Sequence, residues 1–201
     1  MFHKIEAINK IRKLKLNIHN TVITDDLDKL DKTVKYYNYM CSIRTDREKG
    51  VTKELPFYLI SSIDDYIRIK DKLKLNKQDS MIFIVSNGHQ YDNKLRYNLV
   101  ISFDKNGEFA LEYNTTNVPL RHMYRYPDDM IYVEGSINET VASWRVTNKE
   151  HNKISIREVG KIIALVYLDI YNKGLWDRNL EVSVYSEDCG ELNKEYVYWE
   201  I

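Results

Sequence analysis

Residues 156–201 read IREVGKIIALVYLDIYNKGLWDRNLEVSVYSEDCGELNKEYVYWEI. Between Ile156 and Ile170, apolar side chains recur on one face with a period of 3.6 residues, which predicts a long helix. Gly174 then provides a stop signal at the C-terminal end of that helix. Two segments of alternating apolar and polar residues follow at 180–185 and 194–201, and they predict the strands of a β-hairpin.

This hairpin brings two acidic side chains together. If Tyr185 lies opposite Tyr196, Val182 faces Trp199 on a core face, and Glu181 lies directly opposite Glu200 on a polar face. Like charges in this position destabilise a sheet by up to about 1 kcal/mol. A divalent cation would compensate, because hard cations take carboxylate oxygens as ligands. The alternatives are that the register slips or that both acids face water.

The composition limits the classes of partner. The chain has 30 Lys and Arg residues against 30 Asp and Glu residues, so its net charge is zero and nucleic acid or an anionic membrane is disfavoured as a partner. Cys41 and Cys189 have no metal-ligand spacing, which favours a reducing compartment. We see neither an apolar run long enough to span a membrane nor a signal-peptide core, and we therefore expect a cytoplasmic protein.

The rest of the chain predicts an α+β fold of antiparallel sheets with flanking helices. The predicted helices cover residues 3–14, a segment capped by Asp25 or Asp26, and a segment capped by Ser61 or Ser62. The predicted strands cover residues 21–24, 39–44, 55–60, 81–85, 99–103, 108–113, 131–133 and 140–146. We place an N-terminal α/β subdomain at residues 1–75 and a second subdomain, with the closing helix and hairpin, at residues 76–201.

Two segments are candidates for holding a phosphate. Arg44 ends a buried-type strand next to Thr45, and a guanidinium there can bind phosphate through charge-assisted hydrogen bonds. An ion pair with Asp46 is the alternative. Residues 134–144 are rich in small side chains, so their backbone N–H groups can approach an anion, with Glu139 at the edge of the segment. An ordinary hairpin turn is the alternative here, and the two commonest glycine-rich phosphate motifs are absent.

Other chemistry has weaker support. The five histidines are scattered without metal-ligand spacing, and no nucleophile elbow is present, which disfavours a hydrolase triad. Residues 121–125 combine basic and aromatic side chains that could stack on a base, although a surface loop with local ion pairs is favoured.

Taken in order, these segments resemble the nucleotide-binding ATP-grasp domain of phosphoenolpyruvate synthase and pyruvate phosphate dikinase. Residues 16–24 are similar to that family's opening motif, and Ile43-Arg44-Thr45-Asp46 is similar to its strand ending in "hRSS". Residues 81–87 occupy the place of its adenine-contacting strand. Residues 135–144 look like its "GxGE-x-VVSG" loop, and residues 179–182 with 196–200 look like its closing hairpin.

The resemblance implies an ATP-grasp-like domain that binds ATP and magnesium. Its reaction would be phosphoryl transfer to a separate acceptor, which is a small carboxylate or a histidine of a partner protein. The site residues that it implies are Arg44 on the phosphates, Glu139 near the γ-phosphate, Val85 and Asn87 on the nucleotide, and Glu181 and Glu200 on magnesium.

Several departures from the family pattern favour an alternative function. Ser86 stands where the family has glutamine, the second glycine of the loop motif is missing, and the glycine-rich lid is reduced to Gly50 with Lys49 and Lys53. The phosphohistidine domain and the phosphoenolpyruvate-binding barrel are absent from these 201 residues. The alternative is a catalytically degenerate ATP-grasp-like module for protein interaction, for which the 16 tyrosines are suited.

Overall fold

The computed structural model describes residues 3–47, 55–114, 130–137, 142–146 and 156–201. The elements are α1 His3–Lys13, β1 Thr21–Thr24, α2 Leu27–Tyr36, β2 Cys41–Asp46, β3 Phe57–Ile60, α3 Ile63–Gln78, β4 Ile82–Ser86, a 3₁₀ helix Asn87–Lys94, β5 Leu95–Phe103, β6 Glu108–Asn114, β7 Met130–Ile137, β8 Ala142–Val146, α4 Ile156–Lys173, β9 Leu180–Cys189 and β10 Lys194–Glu200. The predicted α+β class is confirmed. Within the described ranges, no helix is long and apolar enough to cross a membrane.

The first sheet is antiparallel, with strand order β1-β4-β2-β3. Its core contains Leu30 and Val34 from α2 and Leu73 from α3, which pack against Ile43 and Val85. Both helices have the predicted side-chain caps: Asp26 accepts hydrogen bonds from the first turn of α2, and Ser62 accepts one from the backbone of Asp65 in α3. Because the helices cover one face, the other face of the sheet is available to line a site.

The second sheet is also antiparallel, with strand order β10-β9-β5-β6-β7-β8. Its core contains Val166 from α4 and, from the other end of the chain, Ile11 from α1. The carboxylate of Asp46 on β2 accepts the backbone N–H groups of Lys4 and Ile5 and so ties the start of α1 to the first sheet. α1 therefore contacts both sheets.

The 3₁₀ helix connects the first sheet to the second. β4 lies beyond the division that we predicted between residues 75 and 76, yet it pairs with β1 and β2 of the first sheet. The 3₁₀ helix follows β4 directly and leads into β5, which lies in the middle of the second sheet. The chain segment at residues 87–94 is thus the direct link between the two sheets.

The register of the closing hairpin differs from the prediction. Tyr196 pairs with Val184 and Tyr198 pairs with Val182, so the predicted pairing of Tyr185 with Tyr196 is wrong. A bulge at Trp199 places two residues of β10 against one of β9, and it restores the predicted pairing of Glu200 with Glu181. Trp199 was also predicted on the core face, which is wrong. Tyr196 and Tyr198 occupy that face, and Trp199 lies on the side of the first sheet.

Candidate functional site

A cleft with a volume of about 470 Å³ lies between the two sheets. From the first sheet it is lined by Ser42, Arg44, Phe57, Leu59 and Ser86, and from the second by Glu181, Tyr185 and Trp199. Arg44 and Glu181 are far apart in sequence, and the packing of the two sheets brings both into this cleft.

Arg44 reaches the cleft because side chains alternate along β2. Ile43 points into the helix-covered core, and Arg44 points to the opposite face. The guanidinium carbon lies 5.1 Å from the ring centroid of Trp199 and 5.7 Å from that of Phe57. Such cation–π contacts attract the guanidinium to the faces of the two rings. The arrangement holds a cation in a partly buried position within the cleft.

A cluster of aromatic rings surrounds His19 at one wall of the cleft. The imidazole is buried, and its ring centroid lies 5.6 Å from that of Tyr91, 5.3 Å from that of Tyr185 and 5.1 Å from that of Trp199. Its Nε2 atom lies 2.8 Å from the Tyr185 hydroxyl, and its Nδ1 atom has no hydrogen-bond partner among the described residues. Burial, with a further contribution from the charge of Arg44, lowers the pKa of His19 to about 3.

The neutral state of His19 matters for the electrostatics of the cleft. At neutral pH the imidazole carries no charge, so Arg44 rather than His19 supplies positive charge beside Trp199. Sequence reasoning missed His19 because the similarity of residues 16–24 to the family's opening motif implies no role for this position. Its position between a helix and a short strand carries no signal that could have identified it.

The acidic side of the cleft comes from the closing hairpin. The side chain of Glu181 is partly buried and lines the cleft, and its register partner on β10 is Glu200. Only the backbone of Glu200 is described. Among the described residues, no group of three or more His, Cys, Asp or Glu side chains is arranged to hold a metal ion by itself. A cation at this site would therefore take further ligands from a bound molecule or from water.

The remaining predicted site residues lie elsewhere. The Val85 side chain is fully buried in the helix-covered core of the first sheet, on the side away from the cleft, whereas its neighbour Ser86 lines the cleft. Asn87 is buried at the start of the 3₁₀ helix, and its Oδ1 atom has no hydrogen-bond partner among the described residues. Glu139 lies outside the described residues, as do the reduced lid at residues 49–53 and the basic and aromatic segment at residues 121–125.

No family model matches the chain, and no curated protein sequence matches it. Solved structures do match. The N5-carboxyaminoimidazole ribonucleotide synthetase purK, in its ADP complex, matches with a TM-score of 0.53 and 12% identity, over 98% of this chain and 43% of that protein. The N5-carboxyaminoimidazole synthetase from Staphylococcus aureus, complexed with ADP, matches with a TM-score of 0.51 and 11% identity, again over 98% and 43%.

These likenesses define the class of fold. The chain has an ATP-grasp fold, as the sequence resemblance predicted. It spans less than half the length of the two synthetases. At this level of identity the likeness extends to the fold and not to the activity. The closer resemblance to the phosphoenolpyruvate synthase type stays a prediction.

Proposed function

We propose that the chain binds ATP with magnesium in the cleft between its two sheets and transfers a phosphoryl group to a separate acceptor. The observation that carries the proposal is the presence of Arg44 and Glu181 in one cleft of an ATP-grasp fold. Both synthetases that the fold resembles are in complex with ADP. The cleft volume of about 470 Å³ falls within the range of roughly 300–1,000 Å³ that is usual for small-molecule sites.

Arg44 is proposed to clamp the phosphates. A guanidinium presents several N–H donors in a planar fork that matches phosphate oxygens, which a lysine ammonium cannot reproduce. Its contacts with Trp199 and Phe57 restrict its conformations before any ligand arrives. Less conformational entropy is then lost on binding, which favours affinity.

Glu181 and Glu200 are proposed to hold the magnesium. The donor set fits, because Mg²⁺ in nucleotide sites is commonly bound by one or two carboxylates together with substrate phosphates and water. Two acids paired across neighbouring strands also repel each other unless a cation lies between them. When bound, the metal neutralises charge on the phosphates.

The remaining residues are proposed to complete the nucleotide site. Asn87 would contact the adenine from the start of the 3₁₀ helix. Val85 would support the nucleotide site indirectly, because its side chain is in the core and its backbone pairs with Val22 and Ile43 on the two neighbouring strands. Glu139 would stand near the γ-phosphate. Catalysis would rest on positioning and charge neutralisation, as is usual for phosphoryl transfer. The proposed subtype is the phosphoenolpyruvate synthase type, and the acceptor is a small carboxylate or a histidine of a partner protein.

A thermal-shift experiment tests the binding step. The melting temperature of the full chain is measured with and without millimolar ATP and magnesium, and we expect ligand-dependent stabilisation, since a ligand at 100 times its Kd adds about 2.7 kcal/mol. Arg44→Ala should abolish the shift. Ser186→Ala, at an exposed position of β9, is the control and should leave it unchanged. Absence of any shift in the unmodified chain would refute the proposal.

Two observations favour a second function. Trp199 and Phe57 lie over Arg44 inside the cleft, and Ser86 stands where the family has a glutamine. A degenerate cleft of this kind would serve a protein-interaction module that has lost nucleotide binding. Isolation of the chain with a tightly bound protein partner, together with no response to ATP and magnesium, would select this function.

A further inference from the structure

Three side chains form a hydrogen-bonded chain at the rim of the cleft. The Ser61 Oγ atom lies 2.8 Å from His89 Nε2, and His89 Nδ1 lies 2.6 Å from Asp92 Oδ2. Both distances are within the range found between a nucleophile, its general base and the group that orients the base. The sequence carries no motif for this arrangement, because such a triad is defined by geometry and not by spacing along the chain.

The fold explains why the three residues meet. Ser61 follows the last residue of β3 and precedes the cap of α3, so the strand end fixes its position. Asp65 adds to this by accepting the Ser61 backbone N–H at 3.2 Å. His89 and Asp92 are three residues apart in the 3₁₀ helix, which has three residues per turn, so their side chains lie on one face.

The hydrogen bonds determine which nitrogen carries the proton. An ionised Asp92 can only accept a hydrogen bond, so the proton of a neutral imidazole lies on Nδ1. The lone pair of Nε2 then faces the Ser61 hydroxyl and can accept its proton. Ser61 is exposed, whereas the His89 side chain is only 13% exposed, so a substrate can reach the nucleophile while the base is shielded.

The surroundings of Ser61 favour an apolar acyl group. Phe57 and Leu59 precede Ser61 at alternate positions of β3, and both line the cleft with more than a third of their surface exposed. The hydrogen bond of Ser61 to His89, which also lines the cleft, places Ser61 at the same rim as these two side chains. The first turn of α3 also begins beside Ser61, and the N–H groups of Ile63 and Asp64 have no acceptor within that helix. Such groups stabilise negative charge on a substrate oxygen.

We propose that Ser61 is the nucleophile of an esterase-like acyl-transfer site, with His89 as general base and Asp92 as a positioning residue. Ser61 Oγ attacks the ester carbonyl and forms a C–O bond as its proton moves to His89 Nε2. The bond from the carbonyl carbon to the alcohol oxygen breaks, and that oxygen takes the proton from His89. Water then hydrolyses the acyl-serine, with His89 accepting a proton from the water and returning it to Ser61.

The experiment uses the full chain without nucleotide, so its outcome is independent of ATP binding. The chain is treated with a fluorophosphonate probe and with p-nitrophenyl butyrate, and the adduct is located by mass spectrometry. We expect one adduct at Ser61 and a burst of nitrophenol. Ser61→Ala should abolish both, and His89→Gln should slow acylation by about 100-fold or more. Ser186→Ala, which removes another exposed serine, should change neither.

Asp92→Asn separates a positioning role from a structural one. The variant should lower kcat for p-nitrophenyl butyrate with little change in KM, and Asp92→Glu should recover part of the loss, because a carboxylate that accepts from Nδ1 keeps the imidazole in the tautomer that the base requires. The folded state of each variant is checked by circular dichroism and thermal melting. If the folded unmodified chain gives no adduct at Ser61, or if Ser61→Ala reacts at the same rate, the three residues form a structural hydrogen-bond chain and the proposal is wrong.

Discussion

The guanidinium carbon of Arg44 lies 5.1 Å from the ring centroid of Trp199. Arg44 belongs to β2 of the first sheet and Trp199 to β10 of the second, so this contact bridges the cleft. Trp199 reaches this position because it is the bulged residue of β10, and its indole N–H donates to Ser183 Oγ at 2.7 Å. The bulge in β10 of the second sheet therefore helps to position the guanidinium of Arg44, which belongs to the first sheet.

Replacing Trp199 tests whether this contact prepares Arg44 for a phosphate. We expect Trp199→Ala to destabilise the protein by about 1 kcal/mol or more, since a cation–π contact and buried apolar area are lost. We also expect its affinity for ATP with magnesium, measured by calorimetry, to fall several-fold, and Trp199→Phe to recover most of it. Trp176→Phe, at a ring packed against Tyr167, is the control. A rise in affinity in Trp199→Ala would instead mean that Trp199 blocks the cleft.

Most helices and strands could be predicted because their signals are local. The apolar period identified α4, which is observed at Ile156–Lys173, and Asp26 and Ser62 cap α2 and α3 as expected. The register of β9 and β10 could not be predicted beyond the Glu181–Glu200 pair. The position of a bulge depends on the contacts that the extra side chain makes. Trp199 contacts Ser183 and Arg44, and no local sequence pattern predicts these contacts.

In the candidate site, too, some residues could be predicted from the sequence and others could not. Arg44 and Glu181 could be identified as polar residues on predicted strands, and the packing of the sheets places both in one cleft. His19, by contrast, is surrounded by rings from the 3₁₀ helix, β9 and β10, which are remote in sequence. Ser61 and His89 likewise meet only because β3 ends beside the 3₁₀ helix. Contacts of this kind follow from topology and cannot be derived from the spacing of residue types.

Asn17 is expected to be one of the most sensitive polar positions for stability. Its side chain is fully buried and joins the turn between β9 and β10 to the segment before β1. Nδ2 donates to the carbonyls of Cys189 at 2.8 Å and Tyr196 at 2.6 Å, and Oδ1 accepts the Leu192 N–H at 2.8 Å. Asn17→Ala removes all three hydrogen bonds, and we expect it to lower the free energy of unfolding by about 3 kcal/mol.

Urea denaturation of Asn17→Ala checks this value. Asn20→Ala is the matched control, because Asn20 lies in the same segment with an exposed side chain, and we expect a change of less than about 0.5 kcal/mol. Equal effects of the two substitutions would show that the hydrogen bonds of Asn17 contribute no more than an exposed side chain does.

His19 is expected to make stability depend on pH. Its pKa is lowered to about 3 in the folded protein, against about 6.5 in the unfolded chain, so the unfolded state binds the extra proton between these values. Stability from this group is therefore complete above pH 6.5 and is lost as the pH falls. Between pH 7 and pH 5 the loss amounts to about 2 kcal/mol.

Urea denaturation at pH 7 and pH 5 measures this loss. In His19→Gln the histidine contribution is absent, and the difference between the two pH values should shrink by most of that amount. Asn20→Ala is the control, since it alters the neighbouring exposed side chain and retains His19, and it should keep the pH dependence. A pH dependence that is the same in His19→Gln and the unmodified chain would mean that His19 is not the group responsible.

Glu181 should affect the free and the ligand-bound protein in opposite directions. It pairs with Glu200 across β9 and β10, so Glu181→Gln relieves a like-charge pair and should raise the stability of the free protein by up to about 1 kcal/mol. The same change removes a proposed magnesium ligand and should reduce the stabilisation by ATP with magnesium. Glu187→Gln, which breaks an exposed ion pair with Lys94, should alter neither quantity by much.

The two effects of Glu181→Gln separate metal ligation from a structural role. A loss of packing would lower the stability of both the free and the ligand-bound protein, whereas loss of a metal ligand should raise the first and lower the second. If Glu181→Gln destabilises the free protein and leaves the ligand-induced shift intact, these acids do not hold the metal.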